Sequence, residues 1–572
     1  MLGRLMKRSV LFVAVFIAVS MVAVSFGQAS STVLQEVRAE HGMVAAASPL
    51  AAQVGVDILK AGGNAVDAAV ATAFAMGVVE PNASGLGGEG MFVFYSTQEE
   101  RAVVVDYRST APKGAAEAFY GKSMPSTGWK SIGTPGLVAG LAMALEKYGT
   151  MSLPEVLAPA IKLAEEGFPI PTTLAQMIED SFQKIAADPG LASIYLIDGL
   201  PPFEGDILKN PQLASSLRKI AEGGPDVFYK GELAEAMAST VQANGGYLSL
   251  EDLAEYKAVI RWPVRINYRG YDIFIAPPPV GGATLANALA ITENFDVASM
   301  GYPSAQAIHV MSEAIKRSFR DYREYVADPD FVNVPLQAML SEDYAAARAG
   351  EFSLKKMTPH AQIKAGALAP EKAAATGTYG YESPSTTHIS VVDKDRNMVA
   401  ITQTISSFWG AGHAVPGTGI ILNNEVYNFS SDTKAGNSIA PGKRMRTSIC
   451  PTIVLKNREP FLTIGTPGGS RIVPTMTQLL SFIIDHKMGL QEAIETPRFY
   501  VREGSDVFEH ESRMPAEVLE GLKALGYPIN DNSALGAYDL YFGGAQGVMV
   551  DPETGWLRGA ADPRRDGAAI GY

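Results

Sequence analysis

The chemistry that this sequence could support centres on a threonine that follows a linker. Residues 361–384 are rich in Ala, Gly, Lys and Ser with little periodicity, which predicts an exposed linker that runs directly into Ser385-Thr386-Thr387-His388. A threonine hydroxyl needs an adjacent base to act as a nucleophile. A threonine at the start of a chain has that base in its own α-amine, whose pKa is ordinarily about 7.7 to 8.0. A cut before Thr386, which an exposed linker tolerates, would create this arrangement, although periodicity alone does not distinguish Thr386 from the other threonines.

The sequence gives little support for a nucleotide site, a metal site or a nucleic-acid interface. Residues 85–90 have the spacing GxGxxG, but a dinucleotide site needs those glycines between a strand and a helix, and here a strand-like run follows them. The seven histidines lie far apart and form no metal-ligand motif, so no metal or other cofactor is expected. The formal net charge of −13 argues against a nucleic-acid partner, because phosphate binders normally carry a basic patch. The single cysteine, Cys450, excludes an intramolecular disulfide and is predicted to be a buried packing residue.

The first 30 residues form a distinct segment. Three basic residues precede an apolar run of 17 residues (10–26), and small and polar residues follow at 27–30. This pattern is typical of an export signal, residues 1–29, that is removed after secretion. A retained membrane anchor is the alternative, because the run is at the short edge of the spanning range. In either case the rest of the chain is expected outside the cytoplasm, in the periplasm or secreted.

Before the linker, helices and strands alternate. Two packed helices are expected between residues 44 and 79, separated by Gly62-Gly63-Asn64, which would end one helix and cap the next. A further helix is expected from Thr134 to about Tyr148, and residues 155–351 are predicted to be mainly helical. Strands are predicted at 91–95, at 102–107 and as a pair within 264–275.

After the linker, the pattern changes to strand. Residues 386–392 and 398–405 alternate and are rich in β-branched side chains, which predicts two half-buried strands. An accessible stretch therefore runs directly into a strand that begins at the candidate nucleophile.

Residues 385–393 read Ser-Thr-Thr-His-Ile-Ser-Val-Val-Asp, and this block resembles the processing site of the γ-glutamyltranspeptidase (glutathione hydrolase) family, a branch of the N-terminal nucleophile hydrolases. The resemblance extends from about His41 to Tyr572. Its other blocks occur in the same order as in the family, at residues 53–59, 62–69, 133–136, 328–331 and 467–471. So many ordered matches are not expected by chance.

The resemblance implies a fold and a processing event. The fold would be of the α+β class, a four-layer αββα sandwich whose two central sheets combine two chains produced by self-cleavage. The Thr386 hydroxyl would attack the carbonyl of Ser385, and water would then release a large subunit (30–385) and a small subunit (386–572). The two subunits would form a heterodimer, and no cofactor is implied.

The implied activity is cleavage of γ-glutamyl amides such as glutathione through a threonyl acyl-enzyme, with transfer of the acyl group to water, an amino acid or a dipeptide. Two alternatives stay open. One is an amidase of the same fold for amine-free acyl groups, of the glutaryl or cephalosporin-acylase type. The other is an exported binding protein that has lost the reaction, against which the intact residues Thr386, Thr404, Gly468 and Gly469 argue.

The resemblance also implies roles for individual residues. Thr404 corresponds to a second threonine whose hydroxyl contacts the freed amine. Gly468 and Gly469 correspond to the pair whose N–H groups face the developing oxyanion, and such donors typically contribute about 2.7 to 4 kcal/mol each. Arg108 corresponds to the arginine that pairs with the substrate α-carboxylate, for which a guanidinium fork is well suited.

The acyl pocket departs from the family pattern. Of the acidic pair that usually holds the substrate α-ammonium, Glu425 is present, but Asn428 replaces the aspartate. Losing a charged acceptor should cost about 1.5 to 3 kcal/mol, roughly a 10- to 100-fold loss in affinity. Ser406 replaces an asparagine that usually assists. These changes leave the nucleophile intact and make acyl groups without an amine plausible substrates.

Three further departures surround the pocket. The usual Ser-Ser pair is Thr447-Ser448, preceded by Arg446, and the glutamate that commonly follows the carboxylate-binding arginine is Ser109. The loop between residues 430 and 443 is short compared with relatives that carry a lid, which predicts an open pocket and favours water as the acceptor.

Overall fold

The computed structural model describes residues 36–368, 385–530 and 533–572. The predicted export signal or anchor and most of the predicted linker lie outside the described residues. Among the helices of the described ranges, none combines the length and the apolar composition that crossing a bilayer requires.

The structure contains helices and strands in mixed order. The strands are β1 (Val37–Ala39), β2 (Met43–Ala46), β3 (Glu89–Ser96), β4 (Arg101–Asp106), β5 (Phe168–Pro169), β6 (Ile207–Leu208), β7 (Val259–Arg261), β8 (Val264–Tyr268), β9 (Tyr271–Ile275), β10 (Thr387–Val392), β11 (Met398–Thr404), β12 (Ala414–Val415), β13 (Ile420–Ile421), β14 (Thr452–Lys456), β15 (Glu459–Gly465), β16 (Phe499–Val501), β17 (Phe508–Glu511), β18 (Ala534–Leu535), β19 (Gln546–Val550), β20 (Leu557–Ala561) and β21 (Ala568–Gly571). The helices are α1 (Pro49–Lys60), α2 (Ala65–Val79), α3 (Lys113–Phe119), α4 (Leu137–Tyr148), α5 (Leu153–Glu166), α6 (Thr172–Asp180), α7 (Phe182–Ala186), α8 (Pro189–Tyr195), α9 (Pro211–Gly223), α10 (Pro225–Tyr229), α11 (Glu232–Ala243), α12 (Leu250–Glu255), α13 (Gly282–Glu293), α14 (Val297–Met300), α15 (Ala305–Tyr325), α16 (Leu336–Met339), α17 (Glu342–Ala349), α18 (Ile472–Ile484), α19 (Leu490–Glu495) and α20 (Ala516–Ala524). Short 3-10 turns cover Trp129–Ser131, His360–Gln362, Glu425–Asn428, Gly469–Arg471 and Leu540–Phe542.

Two seven-stranded sheets form the centre of the molecule. The nucleophile sheet has the strand order β21-β2-β10-β11-β3-β4-β7, and the partner sheet has the order β1-β20-β19-β15-β14-β9-β8. Neighbouring strands within both sheets are antiparallel. Each sheet combines strands from before and after the Ser385–Thr386 bond, so a cut at that bond would leave two chains that share both sheets.

The sheets and helices are arranged in four layers. One hydrophobic core joins the outer face of the nucleophile sheet to helices that include α1, α2, α5 and α9. A second core joins the inner faces of the two sheets and extends to α13, α15 and α18 on the outer face of the partner sheet. This architecture confirms the predicted four-layer αββα sandwich.

The prediction of half-buried strands after the linker is wrong, because every residue of β10 and β11 is buried. Ile389 and Val391 pack against the helices, and the opposite face lies against the partner sheet. On the face toward the partner sheet, three polar side chains hydrogen-bond to one another. The imidazole of His388 is hydrogen-bonded to Thr402 Oγ1 at 2.9 Å and to Ser390 Oγ at 3.1 Å, and burial lowers the pKa of His388 to about 3.

Before the linker, most predicted elements are confirmed. Asn64 caps α2, since its side chain accepts hydrogen bonds from the N–H groups of Val66 and Asp67, and Asp67 accepts one from the N–H of Asn64. The helix expected from residue 44 is wrong at its start. Residues 43–46 form β2, which pairs with β10 and β21, and α1 begins only at Pro49. Cys450 is buried in the second core, as predicted.

Candidate active site

Thr386 lies immediately before β10, in the middle of the nucleophile sheet. The hydroxyl of Thr386 donates a hydrogen bond to Thr404 Oγ1 at 3.0 Å, and the N–H of Ser406 donates to the same Thr404 oxygen at 2.8 Å. Thr386 is 4% exposed and Thr404 is 3% exposed. The structure therefore brings the two threonines together through their hydroxyl groups, and the implied contact of Thr404 with the freed amine stays a prediction. Thr404 is positioned both by strand pairing and by the turn that follows it.

The backbone at the predicted cleavage point is strained. Thr386 has φ of 112°, a conformation that side chains branched at Cβ rarely adopt, and such strain typically costs about 1 to 3 kcal/mol. The carbonyl carbon of Ser385 defines this angle, so breaking the Ser385–Thr386 bond would remove the constraint. Ser385 itself is fully buried.

An ion pair lies beside the strained residue. Arg565 Nη1 donates a hydrogen bond to the carbonyl oxygen of Thr386 at 3.0 Å and lies 3.6 Å from Glu80 Oε1. Burial raises the pKa of Glu80 to about 7, although the charge of Arg565 and the hydroxyl of Thr387 oppose this rise. Glu80 and Arg565 were not identified as site residues from the sequence.

The raised pKa of Glu80 predicts a pH-dependent stability. Folding favours the protonated carboxyl, so this contribution is fully present below pH 4.5 and is lost as the pH rises through about 7. Glu80→Gln should therefore reduce the fall in Tm between pH 5 and pH 8, by an amount equivalent to roughly 1 to 3 kcal/mol. The Glu80→Gln variant and its parent protein should both carry Thr386→Ala, so that each is one continuous chain.

The control for this measurement is Glu117→Gln, which changes an exposed residue of α3. Its thermal denaturation should keep the pH dependence of the parent protein. Parallel curves for the Glu80→Gln variant and its parent would contradict the assignment.

Gly468 and Gly469 form a tight turn at the start of a buried helix. Their φ angles are 134° and 58°, which glycine adopts without the penalty that a side chain would add. The turn continues through Gly469–Arg471 into α18 (Ile472–Ile484). N–H groups at a helix start lack partners within the helix and suit a negative charge. This geometry is compatible with the oxyanion-binding role, which stays a prediction.

Arg108 is fully buried between two carboxylates. Its Nη1 pairs with Glu89 Oε1, and its Nη2 donates to Glu425 Oε2 at 3.1 Å and to the carbonyl oxygen of Met445 at 3.4 Å. Antiparallel pairing explains the first contact, because Met91 of β3 lies opposite Asp106 of β4. Glu89 lies two residues before Met91 and Arg108 two residues after Asp106, so antiparallel register places them opposite each other. The role of Arg108 toward a substrate carboxylate stays a prediction.

Hydrogen bonds connect this cluster to the candidate nucleophile. Asn428 Nδ2 donates to Glu425 Oε2 at 2.7 Å and to Ser406 Oγ at 3.3 Å. Ser406 in turn donates through its N–H to Thr404, the partner of Thr386. Glu425, Asn428 and Ser406 thus lie together, as the resemblance implies for an acyl pocket.

The block of residues 446–448 makes contacts elsewhere. Ser448 Oγ donates to the carbonyl oxygen of Gly469 at 2.7 Å, which ties it to the glycine turn. The N–H of Thr447 donates to the carbonyl oxygen of Pro279 at 3.3 Å. The guanidinium of Arg446 lies over the ring of Tyr322 and donates to three backbone carbonyl groups. The unusual arginine thus supports the backbone around the end of α15.

The predicted open pocket stays a prediction, since the structure describes the continuous chain, in which Thr386 is 4% exposed and Arg108 is fully buried. A further residue of the site was not identified from the sequence. In the sequence, Glu89 is part of the GxGxxG spacing at residues 85–90, which does not fit a dinucleotide site. The signal that could have identified it is a carboxylate that interrupts a run of glycines at the start of a strand.

The architecture and the site define a class of enzyme. A threonine hydroxyl at the start of a central strand, inside an αββα sandwich and supported by a second threonine, is the arrangement of an N-terminal nucleophile hydrolase. The chain belongs to the γ-glutamyltranspeptidase family, whose model matches residues 51–572.

Individual relatives agree with this membership. The chain is 40% identical to the glutathione hydrolase proenzyme of Escherichia coli (strain K12), over 96% of this chain and 95% of that protein. It is 38% identical to the acylase ACY 1 proenzyme of Pseudomonas sp. (strain SE83), over 93% of each chain. Among solved structures, the cephalosporin acylase from Bacillus halodurans superposes with a TM-score of 0.85 at 31% identity, covering 96% of this chain and 99% of that one.

Proposed function

We propose that this protein cleaves itself before Thr386 and then uses Thr386 to hydrolyse or transfer γ-glutamyl groups. The observation that carries the proposal is the hydrogen bond of 3.0 Å between the hydroxyl groups of Thr386 and Thr404 at the start of β10. This contact orients the hydroxyl of Thr386. A cut of the Ser385–Thr386 bond would place a free α-amine on the same residue. The names of relatives, which include glutathione hydrolase proenzymes, support the same reading.

Self-cleavage would proceed by acyl transfer within the chain. Thr386 Oγ1 attacks the carbonyl carbon of Ser385, the peptide C–N bond breaks, and an ester joins the Ser385 carbonyl to the Thr386 oxygen. Water then hydrolyses the ester. The products are a carboxylate at Ser385 and a free amine and hydroxyl at Thr386. Release of the backbone strain at Thr386 favours the forward direction.

Turnover would repeat the same chemistry on a substrate. The free α-amine of Thr386 accepts the proton of the hydroxyl, which attacks the γ-carbonyl of the substrate. The N–H groups of the turn at Gly468 and Gly469 stabilise the oxyanion, and the leaving amine takes the proton. Water, an amino acid or a dipeptide then attacks the threonyl ester and releases the acyl group. Glutathione is the expected type of donor.

The proposal includes a location. The basic and apolar pattern of residues 1–29 supports export to the periplasm or the medium, with either removal of this segment or its retention as an anchor.

A glutaryl-type acylase is the second candidate. Asn428 favours it, because this residue stands where the family has a carboxylate and donates its amide to Glu425. A relative named acylase, 38% identical, supports it as well. The two candidates share the nucleophile and differ in the acyl group that the pocket accepts.

The test measures cutting and turnover on one preparation. Purified protein should show two bands on a denaturing gel, and the smaller should begin with Thr386 on N-terminal sequencing. The preparation should hydrolyse L-γ-glutamyl-4-nitroanilide and glutathione. A glutaryl anilide that is cleaved at least as fast would favour the acylase. An uncut chain without turnover would leave the exported binding protein as the better description.

A further inference from the structure

Glu89 is a fully buried residue at the start of β3, and both oxygens of its carboxylate have partners. One oxygen pairs with Arg108, and the other accepts a hydrogen bond from the N–H of Ser109 at 2.6 Å. Strand pairing also places Glu89 opposite Thr404 of β11. Glu89 therefore lies between the arginine expected to bind the substrate carboxylate and the threonine that contacts the nucleophile.

The guanidinium of Arg108 is engaged on both terminal nitrogens. Nη1 holds Glu89, and Nη2 holds Glu425 at 3.1 Å. A guanidinium binds an incoming carboxylate best through two parallel N–H groups. A substrate carboxylate that pairs with these two nitrogens therefore competes with carboxylates of the protein.

The charges in this cluster are unequal. Arg108 contributes one positive charge, and Glu89 and Glu425 contribute two negative charges, while Asn428 and Ser406 are neutral. All three ionised side chains are at most 1% exposed, so solvent screens them weakly. An acyl group that ends in an ammonium balances the net negative charge, whereas one that ends only in a carboxylate adds to it.

From these contacts we propose that Glu89 determines which acyl groups the enzyme accepts. Because Glu89 occupies Arg108, the pocket selects acyl groups that carry a terminal ammonium, and the α-carboxylate of the substrate is dispensable. This inference rests on the proposed function and deepens it. Glu89 supplies the second negative charge that Asn428 does not, so an ammonium-bearing acyl group remains favoured over a glutaryl group.

The experiment compares three 4-nitroanilides on the processed enzyme: L-γ-glutamyl, which has both groups, 4-aminobutanoyl, which has only the ammonium, and glutaryl, which has only the carboxylate. In the wild type, kcat/KM for 4-aminobutanoyl should exceed that for glutaryl by about tenfold or more. Glu89→Gln makes the cluster neutral and should raise the glutaryl to 4-aminobutanoyl ratio by about tenfold or more.

The matched control is Glu313→Gln, which removes another buried carboxylate. Glu313 lies on α15 and pairs with Arg317 at 2.6 Å, so its loss perturbs the fold without touching the acyl pocket. The substrate ratio should remain that of the wild type. If Glu89→Gln does not yield folded protein, the ranking of the three anilides by the wild type still tests the proposal.

The outcomes distinguish the role of Glu89 from the proposed function of the enzyme. A processed wild type that cleaves glutaryl faster than 4-aminobutanoyl overturns the role of Glu89 and leaves Thr386 chemistry intact. A folded Glu89→Gln variant with an unchanged ratio also overturns it. A processed wild type that cleaves none of the three anilides overturns the proposed function, and the role of Glu89 with it.

Discussion

Replacing Thr386 by alanine is expected to leave one continuous chain with no measurable amidase activity. The substitution removes the oxygen that attacks the Ser385 carbonyl and, in the mature enzyme, the oxygen that carries the acyl group. Loss of a covalent nucleophile typically lowers kcat by about 10⁴-fold or more. A denaturing gel and hydrolysis of L-γ-glutamyl-4-nitroanilide measure the two effects separately.

Two matched variants make this experiment specific. Thr386→Ser keeps a hydroxyl and a free amine, so it should still be cut and should turn over substrate. Thr387→Ala removes the neighbouring hydroxyl, which lies on the other face of β10, and should still be cut at the Ser385–Thr386 bond. Turnover by a purified Thr386→Ala protein would exclude Thr386 as the nucleophile.

The second large effect is expected at Thr404. Thr404→Ala removes the acceptor for the Thr386 hydroxyl and leaves the N–H of Ser406 without its partner. An unsatisfied buried group costs about 1 to 3 kcal/mol, so self-cleavage and turnover should each slow by about 10- to 100-fold. The rate of conversion of freshly refolded precursor and kcat of the processed protein provide the two measurements.

Thr404→Ser is the control, because it keeps the hydroxyl and loses only a methyl group. It should retain most of both rates. Equal rates for the alanine and serine variants would show that the hydroxyl of Thr404 does not orient Thr386.

The candidate nucleophile and the glycine pair could be predicted because they belong to short blocks with a recognisable order. Thr404 was predicted from its correspondence to a second threonine of the family, and the structure places Thr386 and Thr404 in contact. The helices and strands near these residues could be predicted because their signals are local in the sequence. Helix caps such as Asn64 and strand runs such as residues 91–95 depend on neighbours within a few residues.

The exposure of β10 and β11 was mispredicted for a non-local reason. Their polar residues suggested a face in contact with water, but that face is covered by the partner sheet, and His388, Ser390 and Thr402 bond to one another. Alternation shows which residues share a face, and it does not show what covers that face.

The sequence by itself determined the chemistry of this protein: a threonine at the junction of linker and strand, its second threonine, and the family to which both belong. Only the tertiary structure decided which charges meet in the pocket. Glu425 reaches Arg108 across 317 positions of the chain, and Arg565 reaches Thr386 across 179. Sheet order and register fix such contacts, and they follow from the packing of the whole sandwich, so no local pattern around Glu425 or Arg565 could have revealed them.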